Sequence, residues 1–89
     1  MIKLDINSIP EEFHTIKLRN GQVAVLYKAI SAIVPDINAN ESIPIYHYNV
    51  PCPLCKSSTS AFSYDGKFFG NMQLNCKCCG IYFRPVVEI

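Results

Sequence analysis

Charge is scarce in this chain. Only 17% of its 89 residues are Asp, Glu, Lys or Arg, and with histidine neutral they sum to +1. That balance gives no whole-molecule field to draw in nucleic acid. Long apolar runs are missing too: none approaches the roughly 18 residues that span a bilayer. The opening stretch MIKLDINSIPEEF lacks the continuous apolar core of a secretory signal, so a cytoplasmic protein without a membrane partner is expected. No low-complexity tract is present, and the two cysteine motifs are the only internal repeat. Disorder is excluded as well, because 49% hydrophobic residues lie far from the polar, highly charged composition that stays unfolded.

A chain of this size buries a modest core and benefits from a metal or disulfide staple. Five cysteines are available, at positions 52, 55, 76, 78 and 79. An odd count makes a closed disulfide framework awkward, and in a reducing compartment paired thiols point to metal or redox chemistry. The little charge there is divides unevenly. Residues 1–49 hold four basic and five acidic side chains, net −1, whereas residues 50–89 hold four basic and two acidic, net +2.

Coarse organisation follows from turn and periodicity signals. SIPEE, residues 8–12, has the form of a helix start, with Ser8 as cap, Pro10 in the first turn and Glu11 three residues after Ser8. TIKLRNGQVAVL, residues 15–26, alternates about Asn20-Gly21, a hairpin signal in which both turn residues take positive φ. Val23, Leu26, Tyr27, Ile30, Ile33 and Val34 also fit the spacing of a buried helix face. These readings combine as a hairpin across Asn20-Gly21 and a helix from about Tyr27 to Pro35. DINANES, residues 36–42, reads as a linker. IPIYHYNV, residues 43–50, reads as a strand leading into the first cysteine pair.

The cysteines carry the chemistry. Cys52 and Cys55 form one C-x2-C, Cys76 and Cys79 a second, with 20 residues between them, which is the two-pair spacing of a tetrathiolate zinc site. Each C-x2-C turn brings two sulfurs to one side of a tight loop. Pro53 fixes a backbone angle in the first loop. Gly80 supplies the permissive angle that ends the second, and so selects Cys79 as a ligand. Cys78 is left as a free thiol inside the loop. The alternative pairing, Cys76 with Cys78, loses the match to Gly80. His47, five residues before Cys52, offers a substitute ligand, although an ordinary strand histidine explains it; His14 has no partner at metal spacing. Between the pairs, SAFSYDGKFF has Asp65-Gly66 as a two-residue hairpin turn, MQLNC returns as a strand, and IYFRPVVEI makes a third strand, at an edge because Pro85 cannot donate to a ladder.

This pattern over residues 52–87 resembles the zinc ribbon family, with knuckles of the CPxC and CxxCG kind joined by a β-hairpin and followed by a third strand. The resemblance implies a β-rich, three-stranded ribbon within residues 43–89; with the hairpin and helix segment read from the pattern of residues 1–42, a small α+β fold in one compact unit is expected. It also implies one zinc ion and a non-enzymatic binding role, as an accessory or regulatory protein in contact with a protein partner within nucleic-acid machinery. Two positions depart from the family pattern: Lys56 replaces the glycine usual after the first pair, and Cys78 is an extra thiol. A rubredoxin-like iron electron carrier is the main alternative, and thiol redox chemistry through a single pair is disfavoured by the second pair.

Lys56, Lys67, Phe68, Lys77, Tyr82 and Arg84 make a candidate partner surface, in which aromatics interleave with cations. Asp65 is followed by glycine and is explained by turn chemistry. Four thiolates and a dication would change the formal charge by −2, from +1 to −1. Strong nonspecific nucleic-acid binding is therefore not expected, while a modest local contact is.

Overall fold

The computed structural model describes residues 2–88. Seven strands dominate it: β1 (Ile2–Leu4), β2 (Thr15–Lys17), β3 (Val23–Val34), β4 (Asn38–Pro51), β5 (Ser58–Ser63), β6 (Leu74–Asn75) and β7 (Tyr82–Phe83). Helix among the described residues is confined to two 3-10 turns, Ile6–Ser8 and Glu11–Phe13. The sheet order is β1-β3-β4-β5, with β2 also on β3, and every pairing is antiparallel. β6 and β7 form a separate two-stranded sheet.

The expected helix from Tyr27 to Pro35 is not formed; Tyr27 to Val34 belong to β3, so the fold is mostly β where an α+β fold was expected. The physical reason lies in a bulge. Ala24 and Leu26 are buried at strand period, Tyr27 is passed over between the pairs Leu26↔Tyr48 and Lys28↔His47, and the next buried residue is Ala29. A bulge adds one residue and shifts the phase, so of the six residues that fit a helix face Leu26 alone is buried, while Val23, Tyr27 and Ile33 are exposed. The β-branched Val23, Val25, Ile30, Ile33 and Val34 also suit a pleated surface better than a helix. Pro35 does end the element, at a turn closed by Ile37 N–H to Val34 C=O at 3.0 Å. Asn38–Ser42, expected as linker, are the first residues of β4.

The N-terminal hairpin is present, with a different turn. Gly21 N–H reaches Leu18 C=O at 3.0 Å and Leu18 N–H reaches Gln22 C=O at 2.8 Å, so Arg19, Asn20 and Gly21 form a three-residue loop. Only Gly21 takes positive φ, at 90°, as in a turn closed by a glycine bulge. Ser8 does not cap a helix: its hydroxyl donates back to Asp5 C=O, and Pro10 precedes the second 3-10 turn. His14 Nε2 lies 3.1 Å from Ile6 C=O and 2.9 Å from Ile9 C=O. Two acceptors require a proton on that nitrogen, and His14 is thereby a tie between the 3-10 turns and β2.

One face of the sheet carries the core. Ile9, Ile16, Leu18, Leu26, Val50, Phe69 and Leu74 pack around Tyr48, which is fully buried and donates its hydroxyl to Phe13 C=O at 2.6 Å. Phe69 meets the Tyr48 ring edge-on at 5.5 Å. Burial, with Tyr46 and Asp65 nearby, pushes the Tyr48 phenol up to about 12. The opposite face leaves Val23, Val25, Tyr27, Phe62 and Tyr64 exposed.

The region between the cysteine pairs departs from the expected ribbon. β5 pairs with β4, not with β6, so no single three-stranded ribbon sheet forms. Asp65-Gly66 does not close a two-residue hairpin. Asp65 instead accepts from Lys67 N–H at 2.9 Å and Phe68 N–H at 3.0 Å, beside the Ser63 hydroxyl. Burial opposes the Asp65 charge, yet those backbone donors and Ser63 hold its carboxyl below the usual range. Among the described residues of IYFRPVVEI, only Tyr82–Phe83 is strand. The chain then crosses to the N-terminal hairpin, through the bridge Leu18↔Val87 and the bonds Arg19 N–H to Val86 C=O, 2.7 Å, and Glu88 N–H to Lys17 C=O, 2.9 Å.

Candidate metal centre

β4 delivers the first cysteine pair and β6 the second, and the two loops that follow are built alike. In the first, Lys56 N–H reaches Cys52 C=O at 3.0 Å and Cys52 N–H reaches Ser57 C=O at 2.8 Å; in the second, Gly80 N–H reaches Cys76 C=O at 2.7 Å and Cys76 N–H reaches Ile81 C=O at 2.9 Å. The residue after each pair must therefore take the left-handed conformation. Gly80 does so at φ 81°, and Lys56, at φ 66°, is the only non-glycine with positive φ among the described residues. Lys56 differs from Gly80 in residue type, while its backbone follows the same path.

Cys52, Cys55, Cys76 and Cys79 place their four sulfur atoms within 4.8 Å of one another. The nearest contacts cross between the loops, with Cys52 Sγ 3.6 Å from Cys79 Sγ and Cys55 Sγ 3.4 Å from Cys76 Sγ. Disulfides have S–S near 2.05 Å, so these are neighbouring thiols. A tetrahedral ion with metal–sulfur bonds of about 2.3 Å sets its ligands about 3.8 Å apart, close to the spacing seen. The donor set fits a metal ion. Cys52 and Cys76 are buried, and Cys55 and Cys79 lie at the surface.

Electrostatics at the cluster are unequal. The Ser57 hydroxyl and its N–H hold the Cys55 thiol down to about 6, with help from Cys76. At Cys52 burial favours the thiol, but N–H groups of Cys55 and Leu54 and the thiol of Cys79 outweigh it and lower its pKa. Cys79 goes the other way: the Ile81 N–H favours its thiolate, but desolvation and its bonds to Cys52, Cys76 and Cys55 push it up to about 12. Four converging sulfurs cannot all ionise without a cation among them.

Cys78 is exposed and stands outside the group of four. His47 also stands outside it. Its ring faces Lys28 and Phe62 across the ladder, its Nε2 is buried without a partner, and desolvation and the Lys28 charge lower its pKa.

Four of the six candidate surface residues line grooves. Lys67 and Phe68 line one groove, Phe68 and Arg84 a neighbouring one, while Lys77 lines a third beside Ser58 and Ser60. Tyr82, 69% exposed, and Lys56 border none of them. Arg19 was not singled out from the sequence, yet it shares two grooves with Arg84; the Leu18↔Val87 bridge that joins them spans most of the chain and leaves no local signal. Among the described residues no helix is long and apolar enough to cross a membrane. Comparison with protein-family models, with curated proteins and with solved structures finds no match to this chain.

Proposed function

We propose that the chain is a zinc-binding module of the two-knuckle, ribbon-like kind that acts by contact and not by catalysis, as an accessory or regulatory protein in a reducing compartment. The observation that carries this reading is the convergence of four sulfurs from two matching loops within 4.8 Å. Cys52, Cys55, Cys76 and Cys79 would hold the ion, which supplies a structural cross-link when bound. Four thiolates leave no open position for a substrate or water, and this supports the non-enzymatic role. The protein's own part is to present the ligands. Paired backbone bonds shape each loop, Lys56 and Gly80 close them, and the buried Cys52 and Cys76 anchor them to the core. A partner within nucleic-acid machinery is part of the same proposal, supported by the resemblance of the knuckles.

Elemental analysis of the purified, untagged protein with its visible spectrum tests the reading. One equivalent of zinc in a colourless sample is expected; stoichiometric iron with thiolate charge-transfer bands would replace it with electron transfer. Cys79→Ser should lose the metal while Cys78→Ser retains it. Equal loss in both would sink the ligand assignment.

A further inference from the structure

Both arginines of the chain, Arg19 and Arg84, line both of two grooves that also share Pro85 and Val86. One arginine comes from the N-terminal hairpin and the other follows β7, held side by side by the Arg19 N–H bond to Val86 C=O. The first groove encloses about 270 Å³ over Leu18, Pro51, Pro53, Phe83 and Pro85. The second encloses about 390 Å³ and adds Phe68 and Phe69. Among the described residues no carboxylate lines either groove. The two grooves adjoin along Arg19, Arg84, Pro85 and Val86 and together make a trough whose lining combines apolar side chains with two exposed arginines.

We infer that this trough docks a partner peptide in which an apolar side chain stands beside carboxylates. This deepens the proposed contact function and rests on that reading. Apolar walls with a few convergent polar groups are the form of an anchor pocket. The space suits one large aliphatic or aromatic side chain, and paired guanidinium groups favour carboxylates, which they bind bidentately. Single-stranded nucleic acid fits less well. Phe68, Phe69 and Phe83 offer faces on which bases stack, but with the metal loaded the chain carries a formal −1, being +1 less 2, which gives no field to draw in a polyanion. Pro51 and Pro53 flank Cys52, and Phe83 and Arg84 follow the second knuckle, so the metal loops set the walls of the trough.

The test is a titration of the zinc-loaded full chain, followed by amide NMR signals, with the capped peptide acetyl-Asp-Leu-Asp-Leu-Asp-amide. Two peptide controls replace every Asp by Asn or every Leu by Ser, and octauridylate tests nucleic acid. The Asp-Leu peptide should move the signals of Arg19, Asn20, Arg84 and Val86. Each peptide control should bind roughly tenfold more weakly, as should the Asp-Leu peptide to Arg19→Gln or Arg84→Gln. The inference is overturned if the arginine variants bind as well as the parent, if signals move at Val25, Tyr27 and Phe62 on the outer sheet face instead, or if octauridylate alone occupies the trough. Should a variant fail to fold, the Asn peptide on the unaltered chain still decides the matter. Zinc measured on the same sample separates the two readings: a metal-free folded protein fails the proposed function, while a zinc-loaded one indifferent to the peptide fails the trough alone.

Discussion

At the scale of single residues, the two positions that close the knuckles show how one backbone requirement meets two side chains. Lys56 and Gly80 occupy equivalent places and share positive φ. A β-carbon there costs about 1–2 kcal/mol. Lys56→Gly removes that cost but adds freedom to the unfolded chain worth about 0.4–1 kcal/mol, so a net gain of about 0.5–1 kcal/mol is expected in denaturant unfolding of the metal-loaded protein. Gly80→Ala should lose about 0.5–1 kcal/mol, by the same two terms in reverse. Because nothing lies within 4 Å of a β-carbon built at Gly80, this loss measures backbone conformation alone. Gly66 is different: a β-carbon there falls 2.8 Å from Phe13 Cδ1, so both φ and packing oppose its replacement.

At the scale of elements, Tyr48 joins β4 to the N-terminal turns. Its hydroxyl is the partner of Phe13 C=O and its ring the neighbour of Phe69. Tyr48→Phe leaves a carbonyl short of its donor and should destabilise by about 1–3 kcal/mol. The same group sets an alkaline limit. Its folded pKa is raised to about 12 from 10.0, so its contribution is complete below pH 10 and is lost as pH rises through 12. Thermal unfolding should show the parent losing stability over that window and Tyr48→Phe losing less of it. β3 carries a lesson of its own. Its β-branched residues and the Asn20-Gly21 signal were visible in the sequence, but the Tyr27 bulge was not. A bulge answers to the partner strand, and the partner, β4, is known only once the strands have paired.

At the scale of the whole molecule, the C-terminal part is expected to depend on the metal that the four cysteines can hold. β6 and β7 have two residues each, too few for a sheet that stands by itself, and give the core only Leu74 and the partly buried Phe83, whereas β3, β4 and β5 supply Ala24, Leu26, Ala29, Tyr48, Val50 and Ala61. Removing the metal with a chelator should abolish amide protection in residues 74–83 first and leave it in β3 and β4. Hydrogen exchange checks this, and simultaneous loss everywhere would show that the metal holds the entire fold. Acid should act in the same direction. Metal binding requires thiolates; Cys55, held at about 6, is already ionised near neutrality, while Cys79, pushed up to about 12, must give up its proton to the metal. Affinity should thus fall with falling pH, most steeply below about pH 6, as followed with a chromophoric chelator.

What the sequence determined by itself was local. C-x2-C turns, Pro53, Gly80 and the spacing of the pairs identify four candidate ligands, because each knuckle is a few residues long and its hydrogen bonds close within it. The strand 43–50 and the position of the first hairpin were legible for the same reason. Tertiary structure alone decided the rest. That β5 pairs with β4 and not β6, that residues 27–34 are strand, and that Arg19 stands beside Arg84 all depend on contacts between distant segments. Local pattern fixes which face of a segment is apolar; which surface covers that face is set by the competition among all the segments that could bury it.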